Sequence, residues 1–405
     1  MYTVPEDQPS PSSSSYASSE FDGHQTSRKV YVSDDELVRR ACIANRTSRS
    51  GRLLRTPSLT WDCKEVSGFA LLSRRVGADS EGLEVLTTGE VACRPRDLVS
   101  LLRSQSECDY NAIARGFLGN QFIYGSIVHE VATPQVGSVG FDEEHFGNES
   151  LHQLAVRTAC FARSRRFARN EQWCFLEHFQ PNPASPMSSS ASYSTSSASS
   201  SADGSTGFTI VYSSLPEHEL KTGKTTRGRV TQLHGITATY LVEPLPQTVG
   251  CRGPRVRVTF HATFNAAETV REGYADAETV RSRLLALAKS VHRLPELVRQ
   301  RQCTPRRLGS PSDRGNQGRE ARNSHCIACT KRLRLRLLAT PTRKTKRCQI
   351  CAYNVCLSCW SLENVATANG HATTMAVCRR CHENMGTSDY SHIHLTQPVE
   401  VSQEY

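Results

Sequence analysis

RVRVTFHATFNAAETVREGYADAETVRSRLLALAKSVHRLPELVRQRQ, residues 255–302, changes its period partway along. Over Arg255 to Phe264 the apolar residues Val256, Val258, Phe260, Ala262 and Phe264 share one face, and Arg255, Arg257, Thr259, His261 and Thr263 share the other. That is the period-two pattern of a strand wet on one side. Beyond it, Asn265 and Glu268 have the spacing of a capping box, and Ala277, Val280, Leu284, Leu287, Val291 and Leu294 recur at intervals of three and four. An amphipathic helix is therefore expected, ended or kinked at Pro295. A helix of about 28 residues is roughly 40 Å long, enough to lie across a sheet.

Working outward, half-buried strands are expected at Leu83 to Val91, Gln121 to Val131, Gln172 to Gln180, Phe208 to Leu215 and Arg229 to Val242. Asp34 and Asp35 ahead of Leu37 and Val38 mark a short N-capped helix. Strands with one wet face belong to an antiparallel sheet, because a parallel sheet buries both faces. The expected fold class is α+β, a curved antiparallel sheet with a long C-terminal helix across it, followed by a small cysteine-rich module. Composition sets the boundaries. Residues 1–33 form a Ser/Pro-rich tail, 34–302 the sheet domain with a Ser-rich insertion at 181–205, and 303–324 a linker. Residues 325–384 are the cysteine-rich module and 385–405 a second tail.

The element order over Asp34 to Gln302, the segments Trp61 to Arg75 and Trp173 to Phe179 (WCFLEHF), and the final strand and helix together resemble the START family of helix-grip lipid-binding domains. The resemblance implies a cavity between helix and sheet that holds a lipid or other apolar ligand. Trp173, Phe175, Phe179, Ile236, Tyr240 and Phe260 on the sheet, with Val280, Leu284, Leu287 and Val291 on the helix, are the expected lining. A cavity of about several hundred cubic ångströms would suit such a ligand, whereas a filled core would leave none.

At 405 residues with 38% hydrophobic content, the chain is too long for one core and too polar to be packed throughout. No apolar run follows a basic segment in Met1 to Ser33, so neither a secretory signal nor a disulfide framework is expected. No stretch of 18 apolar residues is present, and a cytoplasmic location, peripheral on endosomal membranes, is the expectation. Eight of the 16 cysteines are scattered singly (Cys42, Cys63, Cys93, Cys108, Cys160, Cys174, Cys251, Cys303) and read as small core hydrophobes. The net charge of +10 is uneven, because Cys303 to Cys381 alone carries +12. An acidic partner is expected to meet the protein there.

The other eight cysteines form four Cys-x-x-Cys pairs within 56 residues: Cys326 with Cys329, Cys348 with Cys351, Cys356 with Cys359, and Cys378 with Cys381. Two such turns complete one tetrahedral all-thiolate zinc site, so two zinc ions are expected. Four thiolates leave no position for water or substrate, which makes the zincs structural. The block around Cys348 to Cys359, preceded by basic residues and followed by Cys378-Arg-Arg-Cys381, resembles the FYVE finger. That resemblance implies interleaved pairs, with Cys326, Cys329, Cys356 and Cys359 on one zinc and Cys348, Cys351, Cys378 and Cys381 on the other. It also implies contact with phosphoinositide-containing anionic membranes through Lys344, Lys346, Arg347, Arg379 and Arg380. The sequence keeps the charge of the family's basic motif and lacks its two histidines. Ala352 stands where the family has glycine. Lys331 to Leu338 (KRLRLRLL) could add a strand with arginines on one side and leucines on the other.

Chemistry is not expected. Gly223, Lys224 and Thr225 lack the earlier glycine of a phosphate-binding loop, and His129 with Glu130, or Asp142 to His145, show no catalytic spacing. The expected function is that of a non-enzymatic lipid-binding, membrane-associating adaptor with protein partners open to it. A RING-like, ubiquitin-ligase-type interaction module is the alternative. Only Tyr353 and Trp360 offer aromatic stacking near the basic residues, so nucleic acid is not an expected partner.

Overall fold

Ten strands make one sheet in the computed structural model, which describes residues 28–49, 61–77, 81–131, 154–164, 168–182, 207–226, 228–246, 253–269, 271–303, 323–333, 345–366 and 372–384. The strands are β1 (Asp62–Val66), β2 (Phe69–Val76), β3 (Gly82–Val91), β4 (Phe122–Val131), β5 (Leu154–Phe161), β6 (Asn170–Pro181), β7 (Phe208–Ser214), β8 (Val230–Leu233), β9 (Ile236–Pro244) and β10 (Val256–Phe264). Their order is β1-β2-β3-β10-β9-β7-β6-β5-β4, antiparallel at every step, with β8 running parallel beside the start of β6. The run expected as one strand over Arg229 to Val242 is broken at Gly235, whose φ of +69° turns the chain between β8 and β9.

Strand β10 alternates as its sequence requires, with Val256, Val258, Phe260, Ala262 and Phe264 buried and the residues between them wetter. Strand β5 (LAVRTACF) does not alternate, because every one of its residues is buried. One face of β4, β5 and β6 meets the main core, while the other is covered by helix α1 (Asp34–Arg49) and by the cysteine module. Leu37 and Ala41 of α1 pack on Val128, Val156 and Leu176. At 16 residues, α1 is longer than the short helix expected from its cap.

The long helix starts later than its sequence suggests. Asn265 does cap, but its Oδ1 accepts from the Ala267 amide and its Nδ2 donates to Glu268 in a 3-10 turn. Helix α4 (Ala277–Ser290) begins only after Asp276, whose carboxylate accepts the Thr279 amide at 2.8 Å. A 3-10 turn at Val291–Arg293 then leads into α5 (Leu294–Cys303), so Pro295 occupies the first turn of a new helix, where its missing N–H is harmless. Helix α4 rests on β3 and β10 and is tied there by the Thr87 hydroxyl, which donates to the Ala288 carbonyl at 3.1 Å.

Two helices between β3 and β4 complete the layer: α2 (Pro95–Leu102) and α3 (Glu107–Leu118). Ser106 caps α3 by accepting the Asp109 amide. Asn111 on α3 donates to the Gly125 carbonyl at 2.8 Å and accepts its amide at 2.9 Å, covering part of the open edge of β4. Gly125 is required there, since a Cβ would lie 2.4 Å from the Tyr110 ring.

The cysteine module comprises the turn around Cys326 and Cys329, the ribbon β11 (Thr345–Arg347) with β12 (Asn354–Cys356), the ribbon β13 (Trp360–Ala366) with β14 (Ala372–Cys378), and α6 (Arg379–Asn384). It sits against the sheet through specific contacts. Asn170 donates to the Thr330 carbonyl at 3.0 Å, and the Tyr124 and Tyr353 rings meet edge to face at 5.3 Å. The Arg115 guanidinium lies 5.4 Å from the centre of the Tyr353 ring. Residues 183–205 of the expected insertion (181–205), 304–322 of the expected linker (303–324) and both tails except residues 28–33 lie outside the described residues, as does most of KRLRLRLL.

Candidate ligand cavity and metal centres

An apolar cavity of about 130 Å³ lies between the sheet and the helices. Its floor comes from β4 to β7, β9 and β10, with Phe122, Phe161, Trp173, Phe175, Tyr212, Tyr240 and Phe260. Leu101 and Leu102 of α2, Tyr110, Ile113, Ala114, Phe117 and Leu118 of α3, and Leu287 and Ser290 of α4 form its roof. Five of the ten expected lining residues face it: Trp173, Phe175, Tyr240, Phe260 and Leu287. The other five are core residues. Phe179 packs on Phe208 at 5.5 Å beneath the Arg103 guanidinium, while Ile236, Val280, Leu284 and Val291 are fully buried at the end where α4 closes down. Helix α3, absent from the expected lining, supplies much of the roof.

Polar groups are few and placed at one side. Arg157 on β5 pairs with Glu177 on β6 at 3.0 Å, with side chains only 3% and 6% exposed. Arg157 also donates to the Ser104 carbonyl and lies under the Tyr110 ring at 5.1 Å. Its Nε has no partner among the described residues. Burial pushes the Glu177 carboxyl up despite Arg157, and burial likewise raises the Tyr212 and Tyr240 phenols. These groups remain neutral or paired, leaving an apolar space with a polar corner. At about 130 Å³ the cavity is smaller than the several hundred expected, and close to the volume, about 150 Å³, that takes a benzene-sized guest. A ligand larger than that exceeds the space between these walls.

The cysteines fall into two groups, Cys326, Cys329, Cys356 and Cys359, and Cys348, Cys351, Cys378 and Cys381, with all ligand atoms of a group within 4.8 Å of one another. This is the interleaved pairing that the FYVE resemblance implies. Thiolates on one zinc at about 2.3 Å stand about 3.8 Å apart, and the observed Cys329–Cys356 and Cys351–Cys378 separations are 3.6 and 3.9 Å. Backbone amides already point at sulfur, Cys378 N to Cys348 Sγ at 3.2 Å among them. Hydrogen bonds from Cys351, Cys378 and Cys381 push the Cys348 thiol far down, and the same contacts hold Cys351 and Cys381 far up. The donor set fits a divalent cation that lets all four ionise together, and bound zinc would supply structural cross-linking. Ala352 has φ +60°, the left-handed conformation that explains why glycine is expected after Cys351.

The basic residues divide. Lys346 and Arg347 are exposed on β11, with the Lys346 ammonium 5.1 Å from the Trp360 ring centre, and Arg379 is exposed beside Glu383. Lys344 lies outside the described residues. Arg380 corrects the expectation of membrane contact, because it is 3% exposed and faces the sheet. It donates to the Ile327 carbonyl and the Ser126 hydroxyl, both at 2.7 Å, and lies 5.0 Å from the Tyr124 ring centre. Its partners are neutral dipoles and a π face, so it acts as a plug between modules.

Other motifs have structural uses. The carbonyl of Gly223 accepts from the Thr158 hydroxyl, and His129 binds Asp34 at 2.8 Å, while Asp142 to His145 lie outside the described residues. Among the scattered cysteines, Cys93, Cys160 and Cys174 are buried as expected, but Cys42, Cys63 and Cys108 are exposed.

No protein-family model and no curated protein matches the chain. Among the solved structures that match in fold are two human domains. The lipid transfer and protein localization domain of human StarD13 (DLC2) aligns with 66% of this chain and 97% of its own, at 13% identity and a TM-score of 0.34. Human StAR-related lipid transfer protein 5 aligns with 66% of this chain and 99% of its own, at 10% identity and a TM-score of 0.41.

Proposed function

We propose that the sheet domain binds one apolar, lipid-like ligand with a polar end, and that the zinc finger docked on it brings the protein to anionic membrane. The cavity carries the first part of this reading. Aromatic and aliphatic side chains make up most of its lining, and Glu177 with the buried Arg157 gives a ligand hydroxyl or headgroup atom one corner to bind. Each methylene buried there contributes about 0.8 kcal/mol. Ala114→Trp places an indole in the space from α3. A fluorescent lipid analogue should bind that variant about tenfold or more weakly, since displacing two methylenes already costs about 1.6 kcal/mol. Unchanged affinity in a folded A114W protein would remove the cavity from the function.

For the finger, charge and apolar exposure coincide. Leu357 beside Cys356 is 52% exposed and Leu362 on β13 is 63% exposed, on the same small module as Lys346, Arg347 and Arg379. Anionic bilayers favour both kinds of group. Wild-type protein is expected to sediment with phosphatidylserine vesicles, and Lys346→Ser with Arg347→Ser to reduce this severalfold. If the double variant sediments like wild type, the β11 cations are not the contact.

A further inference from the structure

A second concavity lies where the zinc finger meets the sheet, and its chemistry is the reverse of the apolar cavity. It spans about 490 Å³ between Ala162, Arg163 and Ala168 to Asn170 on the sheet side, Arg229 just before β8, and the turn after Cys329. Arg163, Arg169, Arg229, Lys331 and Arg332 line it, all exposed, and no carboxylate does. None of these five forms an ion pair among the described residues. The nearest acid in sequence, Glu171, is turned into the core, where it binds Arg283 at 2.6 Å and the Ser164 hydroxyl at 2.8 Å.

The walls are held in place. Asn170 accepts the Arg163 amide at 3.0 Å and donates to the Thr330 carbonyl at 3.0 Å, so one side chain ties the sheet side to the finger side. The Cys326 amide donates to the Lys331 carbonyl at 2.7 Å, fixing the turn that carries Lys331 and Arg332. Five cations gathered from three distant parts of the chain repel one another, and an anion in the groove relieves that repulsion. Arginine forks suit phosphate oxygens in particular. The remaining lining is Ala162, Ala168, Asn170, His325, Cys329 and Thr330; the half-buried His325 imidazole is its single ring among the described residues, and no Phe, Tyr or Trp among them offers a nucleobase a stacking platform.

We propose that this groove binds a multiply phosphorylated, non-aromatic anion, which could be presented as a phosphorylated inositol headgroup on a lipid or as a free polyphosphate. The site is separate from the apolar cavity and from the β11 cations, and does not depend on either. Titration calorimetry on the full, zinc-loaded chain with inositol hexakisphosphate should show saturable binding that weakens as salt rises. Arg169→Ser combined with Arg332→Ser, both exposed positions, should weaken it about a hundredfold, about tenfold for each charge-assisted hydrogen bond removed. Ala114→Trp and the Lys346→Ser, Arg347→Ser pair should leave it unchanged. Vesicles containing phosphatidylinositol bisphosphate, tested on the Lys346→Ser, Arg347→Ser background so that the β11 cations do not contribute, separate the two sources: recruitment lost on adding the Arg169, Arg332 changes assigns a lipid headgroup, and binding of the soluble anion without recruitment assigns a free one. No binding by wild type, equal binding by the double variant, or binding of single-stranded RNA alone would overturn the proposal.

Discussion

Cys348→Ser is expected to leave one zinc per molecule in place of two and to unfold the part of the finger built on the second site. Little else holds that region. Its core beyond the cysteines consists, among the described residues, of Ile327, Ala328, Val355, Met375 and Val377 with a few half-buried neighbours, while a structural zinc contributes about 10–16 kcal/mol to folding in modules of this size. Cys348 is grouped with Cys351, Cys378 and Cys381, and the Cys378 amide is directed at its sulfur. The effect should spread to the sheet. Arg380, next to Cys381, would leave its seat on Ser126 and Tyr124, and the outer face of β4 and β5 around Ile123, Tyr124 and Cys160 would become wet. Zinc analysis with amide hydrogen exchange checks both consequences. Two zincs retained, or undiminished protection in β13 and β14, would show that Cys348 is not a ligand.

Arg283→Met should destabilise the sheet domain by about 3–5 kcal/mol, the usual cost of removing one member of a buried ion pair. Arg283 on α4 and Glu171 on β6 are both fully buried and meet at 2.6 Å. The same guanidinium donates to the Ala162 carbonyl at 2.6 Å and to Gln121 at 3.1 Å, and lies 4.6 Å from the Phe161 ring centre. One side chain therefore binds α4 to three segments of the sheet. Urea unfolding gives the magnitude. Arg283→Met with Glu171→Leu should recover part of the loss, because it leaves no orphan carboxylate in the core. A single variant within about 1 kcal/mol of wild type, outside the range for buried pairs, would mean that other contacts hold α4.

Arg283 also marks the limit of what the sequence reveals. Strand β10 is legible because one face is wet, and the four Cys-x-x-Cys pairs because two thiols three residues apart can grip one metal ion from a single turn. Strand β5 is not legible, since α1 and the finger cover one face and the main core the other, which erases the alternation. Helices α2 and α3 carry local signals, Pro95 at the first position of one and Ser106 at the cap of the other, yet nothing local says that α3 roofs a cavity. Half of the expected lining faces the cavity because inward-facing aromatics on a sheet can be read by periodicity. Where α4 closes onto β3 and β10 and where α3 stands away is decided by packing between distant segments.

Arg380 shows the same limit from the other direction. A Cys-Arg-Arg-Cys pair places two arginines in sequence, and only the docking of α6 on β4 decides that Arg379 meets water while Arg380 is buried. The five cations of the interface groove also come from segments that no local pattern connects.

Native mass spectrometry of the purified full chain, with lipid extraction of the same sample, tests the apolar cavity most directly. Wild-type protein should carry, or take up from lipid vesicles, a single lipid-sized molecule per chain, and Ala114→Trp should carry none while keeping both zincs. A wild-type chain that shows only its own mass plus zinc after exposure to a broad lipid extract would contradict the lipid-binding reading.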